Sequence, residues 1–312
     1  MLDFVNKGFF TLLPWRLVKH LPGLRASPLG IIPQRARRPR LTVDCSFYGI
    51  NAETVKLAPN EAMQFGRTLE RTLQQIRHAD PTHGPVYLSK VDLADGFYRF
   101  GLALSGISKL GIVFPTYEGE EQLIAFPFVL PMGWVESPPA FCAGTETVAD
   151  LANARSNRPL PKHPLEDDAM TPPLEPPSLP SPTADIAAEE EQQAAPPPLG
   201  NRRRLRCYRA RLRHHDICVD DCISLAQGSA KQRRQHLRRL LCSIDEVFRP
   251  LDTSDNKHRK HVPSVKKMKA GDANYDTRKI ILGWIVDTVK GIITLPEHRY
   301  ERLLEIFDCL HH

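Results

Sequence analysis

No two cysteines in this chain are spaced as CxxC, so the paired ligands of a zinc site are missing, although seven cysteines are scattered along the 312 residues. An odd number of dispersed cysteines fits a reducing compartment. No apolar run reaches membrane-spanning length, and no segment repeats. The chain is therefore expected to carry no transmembrane segment and no signal peptide. Acidic residues are outnumbered, 36 against 42 lysines and arginines, which leaves a net charge of +6 and favours an acidic partner such as nucleic acid. The first 40 residues hold a single acid, Asp3, among many arginines. They lack the serine enrichment of an organelle presequence and run straight into a structural segment, so they read as part of the fold.

What is present is unevenly distributed. Residues 155–200 hold 12 of the 28 prolines, eight acids and almost no bulky apolar side chains. Such a stretch cannot bury a core and reads as a disordered linker. Seven arginines and no acids follow within 201–215, and a second basic stretch runs from Lys231 to Arg239. The acidic linker is expected to associate loosely with the basic block after it. On either side lie the 41% of residues that are hydrophobic, enough for a real core.

Short elements of both kinds are expected. Arg37 to Val43 reads as a strand. Asn60 caps a helix through Arg77 with Phe65, Leu69, Leu73 and Ile76 inside. Val86–Val91 is a strand, and Leu110–Phe114 with Gln122–Phe128 a hairpin about Glu118-Gly119-Glu120. Ser137 caps a helix that has Pro138 at its first position. Ile217–Ala226 forms a tight hairpin, Ser229 starts a helix, and Ile280–Val286 pairs with Ile292–Leu295 across a turn at Lys290-Gly291. A last helix begins at Pro296. This mixture predicts an α+β class.

Three segments carry the chemistry. Lys90-Val91-Asp92-Leu93-Ala94-Asp95-Gly96-Phe97-Tyr98 ends an apolar run on an aspartate, which costs stability unless something pairs with it. A hard divalent cation is one such partner. Val219-Asp220-Asp221 sets two carboxylates side by side at a hairpin turn between apolar half-strands, where they repel. Asp92 alone, or the Asp220-Asp221 pair alone, is an ordinary loop feature; together the three acids can hold two metals, and two metals can join nucleotides. Leu130-Pro131-Met132-Gly133-Trp134, followed by Ser137-Pro138, places a glycine where something flat can lie against the backbone. Cys218 and Cys222 flank the aspartate pair and read as small core residues.

In this order the segments resemble the fingers and palm of reverse transcriptases, especially those of retrotransposons. The resemblance covers about 30–154 and 213–310. It implies a right-hand polymerase fold with an antiparallel, ferredoxin-like palm sheet and a thumb cut short. Residues 1–85 would be fingers and N-terminal segment. Residues 86–154 would be palm, with a fingers insertion at about 107–128. The linker and basic block would occupy 155–204, the rest of the palm 205–278, and a primer-gripping hairpin with the start of the thumb 279–312. It implies an RNA-directed DNA polymerase working with two Mg²⁺ ions, or Mn²⁺ in their place, on a primed RNA or DNA template with deoxynucleoside triphosphates.

The same resemblance assigns residues. Asp92, Asp220 and Asp221 would be the catalytic metal ligands. Arg40 would contact the triphosphate, Asp95 would lie beside the sugar 3′-hydroxyl, and Phe97 would exclude a ribose 2′-hydroxyl. Met132 and Gly133 would back the new base pair. Cys218, at the place of the family's usual aromatic residue, would sit by the primer end, and Leu282-Gly283-Trp284 would grip the primer. A retroelement polymerase is expected in cytoplasm or nucleus. Two other readings stay open: a catalytically silent remnant that binds nucleic acid, and an adaptor acting through its proline-rich linker.

Overall fold

A computed structural model of the chain describes residues 1–33, 40–155, 159–167, 210–248 and 261–310. The remaining expectations for the linker and for the arginine block up to residue 209 lie outside these residues. The described residues form two compact units. The first comprises 1–64, 93–147 and 244–262, and the second 65–92, 148–243 and 263–312.

The first unit holds a five-stranded mixed sheet. Its strands are β1 (Phe10–Pro14), β2 (Ala26–Ile32), β3 (Arg40–Val43), β5 (Gly111–Val113) and β6 (Leu123–Pro127), in the order β1-β6-β5-β2-β3. All pairs are antiparallel except β2 with β5. The expected hairpin of Leu110–Phe114 with Gln122–Phe128 is β5–β6. Phe9, Phe10, Tyr98, Ile112, Ala125 and Val129 form one buried cluster, with Phe9 and Tyr98 stacked at 5.2 Å. A second aromatic contact sets Phe141 edge-on to Phe97 at 4.9 Å.

The second unit holds two three-stranded antiparallel sheets. One has the order β4-β8-β7, with β4 at Tyr87–Asp92, β7 at Arg213–Cys218 and β8 at Asp221–Ala226. The other joins β9 (Arg278–Ile281), β10 (Trp284–Asp287) and β11 (Ile292–Thr294). Val86, Leu88, Leu212, Ile223, Leu225, Ile281 and Val286 are buried together. The outer edge of β4 is not left open. Backbone N–H groups of Ser264 and Asp276 donate to the carbonyls of Asp92 and Leu88, and the N–H of Lys90 donates to Asp272. The segment 264–276 thus covers an edge that would otherwise invite another strand.

Helix Ala230–Phe248 starts as the sequence suggests. The Ser229 N–H donates to Gln232 Oε1 at 2.9 Å, and the Gln232 N–H approaches Ser229 Oγ at 3.4 Å, a reciprocal cap. Leu237, Leu240, Leu241 and Ile244 form its fully buried face.

Four expectations need correcting. The helix expected from Asn60 begins only at Thr68, after two short 3₁₀ turns at Asn60–Ala62 and Phe65–Arg67. Gly66 is a poor helix former, and the Thr68 hydroxyl donates to the Ile217 carbonyl at 2.7 Å, which fixes the start there. Its fully buried residues are Thr68 and Thr72, while Phe65 is exposed. Second, Ser137 does not spend its hydroxyl on capping: that hydroxyl donates to the Pro131 carbonyl at 2.7 Å. Third, Ile280–Val286 is not one strand. It breaks at Leu282-Gly283, both at positive φ (50° and 88°), which is a hairpin turn of the primed kind. Fourth, part of the expected disordered linker is packed. Glu166 is fully buried, and Arg238 donates to it at 2.7 and 2.9 Å. A bidentate pair of this kind gives an otherwise polar segment a reason to fold.

Candidate active site

The acidic residues come together at one end of the β4-β8-β7 sheet. Antiparallel register sets Asp92, the last residue of β4, opposite Asp221, the first of β8, and Asp221 opposite Cys218, the last of β7. Val219 and Asp220 make the two-residue turn. Val219 sits at φ 59°, an uncommon conformation for a β-branched residue. The turn leaves Asp220 exposed and Asp221 partly covered. Asp92 is only 2% exposed.

Lysines lie against these carboxylates. Lys90 Nζ is 3.3 Å from Asp92 Oδ1, 3.7 Å from Asp221 Oδ1 and 3.7 Å from Asp272 Oδ2. Lys267 Nζ is ion-paired with Asp92 Oδ2. Burial pushes the Asp221 carboxyl above its ordinary range; Lys90 opposes this, while Asp220 and Asp272 add to it. Burial also raises the Cys218 thiol, helped by Asp221 and Asp220. That thiol lies 3.9 Å from the Phe65 carbonyl. Behind the tip, Asp216 holds Arg71 through contacts of 2.5 and 2.9 Å, which ties helix Thr68–His78 to β7.

The donor set has the right chemistry for a hard divalent cation, because it is all carboxylate oxygen. Its arrangement does not fit one. Among the described residues no three His, Cys, Asp or Glu side chains gather in a way that could hold a metal ion. The neutralising charges on Asp92 are ammonium groups instead.

Sequence reasoning did not find three of these participants. Lys90 stood two residues before Asp92 on a strand, which places both on one face, so its signal was available. Lys267 and Asp272 reach the site through the edge-covering segment, and no local pattern points to them.

Leu282, Gly283 and Trp284 belong to the same unit: the first two form the β9–β10 turn and Trp284 opens β10. A side chain on Gly283 would strike the Arg299 guanidinium. Leu282 packs on the Leu88 cluster. The other anticipated residues lie in the first unit. Arg40 opens β3; its side chain lies outside what is described. Asp95, at φ 65°, is ion-paired with Lys7 at 2.7 Å. Phe97 lies on a short 3₁₀ turn, and Met132 packs against the Phe9–Tyr98 cluster.

Gly133 has a structural reason of its own. It sits at φ 105°, and a Cβ there would lie 1.9 Å from the Val43 carbonyl oxygen. Its carbonyl accepts from the Asn51 amide at 3.0 Å. The space freed by this glycine is filled by the chain's own backbone. Among the described residues no helix is long and apolar enough to cross a membrane.

No family model matches this chain, and no match was found among curated proteins. Among solved structures it is similar to the foamy viral protease-reverse transcriptase in complex with double-stranded DNA, with 14% identity and a TM-score of 0.49 over 97% of this chain and 41% of that one. It is also similar to the foamy viral protease-reverse transcriptase dRH, again with double-stranded DNA, with 13% identity and a TM-score of 0.47 over 92% of this chain and 32% of that one. The chain spans roughly a third to two fifths of those chains. Likeness at that level assigns neither an activity nor a ligand.

Proposed function

We propose that this chain is the core of a reverse transcriptase of the retrotransposon type, which adds deoxynucleotides to a primer 3′-hydroxyl on an RNA or DNA template. The observation that carries the reading is the register of Asp92 against Asp221 at matching ends of β4 and β8, with Asp220 in the adjoining turn. Strand pairing, rather than chance proximity, brings acids from two distant motifs together. Burial of a charged Asp92 at a strand end supports it further, since such a group is costly and is retained where charge serves chemistry.

In this reading Asp92, Asp220 and Asp221 would hold Mg²⁺, or Mn²⁺ in its place, only after Lys90 and Lys267 have moved off Asp92 and the carboxylates have drawn together. The remaining roles are proposals on the same footing: Arg40, Asp95, Phe97, Met132 and Gly133 toward the incoming nucleotide, and Cys218, Leu282, Gly283 and Trp284 toward primer and template. A second reading is favoured by one specific observation. Lys90 and Lys267 neutralise the carboxylates as the structure stands, which suits a catalytically silent protein that binds nucleic acid through its basic surface.

Primer extension on an annealed RNA template with Mg²⁺ and deoxynucleotides separates the two. The polymerase reading predicts extension that falls by about 10²-fold or more in Asp220→Ala, the scale of losing a group that stabilises transition-state charge. Duplex binding without extension would give the silent reading. Extension unchanged in Asp220→Ala would remove the acids from the mechanism.

A further inference from the structure

The first unit carries a cavity of about 530 Å³, and none of the residues proposed above for catalysis, nucleotide, primer or template lines it. Its walls come from three stretches of chain: Ile50 to Val55, Leu102 to Leu110, and Trp134 with Gly23 and Arg25. Ile50 and Leu110 are buried, and Leu102 and Trp134 pack against them. The lining is thus apolar with one large aromatic ring. A volume of this size suits a small organic molecule.

The wall is fastened in place. The Trp134 indole N–H donates to Thr54 Oγ1 at 3.0 Å, and the Thr54 hydroxyl donates to the Ile50 carbonyl at 2.7 Å. Asn51 ties the same two segments again. Its amide donates to the Gly133 carbonyl at 3.0 Å, and its Oδ1 accepts from the Val135 N–H at 2.9 Å. A cavity held by its own bonds costs a ligand little ordering. Those bonds also use the indole N–H and the Thr54 hydroxyl, so Trp134 offers a ligand aromatic surface rather than a donor.

The charges lining the cavity do not cancel. They are Arg25, Glu53 and Lys109. Arg25 Nη2 lies 2.7 Å from Glu53 Oε2, so these two neutralise each other. Lys109 is exposed and, among the described residues, has no acidic partner. One positive charge is left over beside the apolar lining.

We propose that this cavity binds a small, flat aromatic molecule carrying one negative charge, with its ring against Trp134, Leu102 and Leu110 and its anionic group at Lys109. The ring supplies contact area and the lysine supplies the preference for an anion. The site stands apart from the polymerase reading and does not depend on it.

The test is calorimetric titration of the full chain with 2-naphthoate, beside the neutral 2-naphthamide and the cationic 2-naphthylmethylammonium, which share its ring. 2-Naphthoate should saturate one site and bind roughly 2- to 5-fold more tightly than the amide, the contribution of an exposed ion pair, with the cation weakest. Lys109→Met should erase the preference for the carboxylate and leave amide binding alone. Lys19→Met makes the same change in net charge at an exposed residue outside the lining and should leave the preference intact. Trp134→Leu should weaken carboxylate and amide alike, by roughly 3- to 10-fold. Gly106 lines the cavity, and a Cβ there would meet no atom within 4 Å, so Gly106→Leu should fill the space and abolish binding of both.

No saturable binding of 2-naphthoate up to about 1 mM would overturn the proposal. So would equal affinity for carboxylate and ammonium, or a preference lost equally in Lys19→Met, which would make the effect one of bulk charge. Binding unchanged in both Trp134→Leu and Gly106→Leu would place the ligand elsewhere, with the same consequence. Urea midpoints show which variants are folded. Lys109→Met alters only an exposed side chain, so it decides the matter even if Trp134→Leu does not fold.

Discussion

The two ends of the β4-β8-β7 sheet solve one problem in opposite ways. At the tip, buried polar groups stay charged: Asp92 and Asp221 face each other and lysines neutralise them. Further along the same strands, polar groups are buried neutral. His215 stacks on His236 at 3.8 Å, its Nδ1 lies 2.8 Å from Ser224 Oγ, and burial drives both imidazole pKa values down, His236 to about 3. Leu88 and Leu225 beyond them are wholly buried. Charge at the tip is balanced by Lys90 and Lys267, 20% and 53% exposed, within reach of solvent. The neutral groups are sealed in the core. The tip keeps its charge at the edge of the sheet, and the rest of the sheet holds the tip in place.

That contrast can be broken most forcefully at the apolar end. Leu225→Ala should cost about 2–5 kcal/mol in urea unfolding, the usual range for a fully buried leucine. Next comes acid. A histidine whose pKa is depressed in the folded state contributes stability that is fully present above its unfolded value near 6.5 and is lost as pH falls toward its folded value. Each of His215 and His236 should therefore remove about 1.4 kcal/mol of stability per pH unit below 6.5. The groups facing the pair reinforce this, since His214, Arg213 and Arg239 are cationic when charged. Urea midpoints at pH 7.5 and 5.0 measure it, and His236→Leu should reduce the slope by one imidazole's share.

Smaller effects sharpen the picture. Glu166→Gln removes the charge from the bidentate contact with Arg238 and should cost about 2 kcal/mol, as charge-assisted hydrogen bonds do. Limited proteolysis should then cut within 159–167 faster than in the wild type. The smallest change is at the tip itself. Val219→Asn should stabilise the chain by about 1 kcal/mol, because asparagine tolerates the left-handed conformation that valine is forced into. A destabilising result would mean that the Val219 side chain contributes more by packing than its backbone costs.

Much of this architecture could be read in the sequence where a pattern was local. Apolar runs marked β4 and β8, and the Asp220-Asp221 pair fell where the hairpin turns. Ser229 announced the helix that follows. What escaped was set by distant partners. The turn at Leu282-Gly283 hid inside an apolar run because Ile280, Ile281, Ile285 and Val286 read as one strand. Thr68 starts its helix because of a carbonyl 149 residues away in sequence. Gly133 was legible as a place where something lies close, but the sequence could not tell a base pair from the Val43 carbonyl. Glu166 looked like linker because its partner Arg238 belongs to a helix 72 residues further on. At the site, Lys90 was visible by strand alternation, whereas Lys267 and Asp272 needed the fold.

The most direct test of the whole account is Asp92→Asn measured in two ways, by primer extension on an RNA template and by urea unfolding. A charged end kept for chemistry predicts that extension is lost while stability falls by less than in Leu225→Ala. Extension that persists in Asp92→Asn, or a stability loss that matches Leu225→Ala, would contradict it and make Asp92 a structural residue.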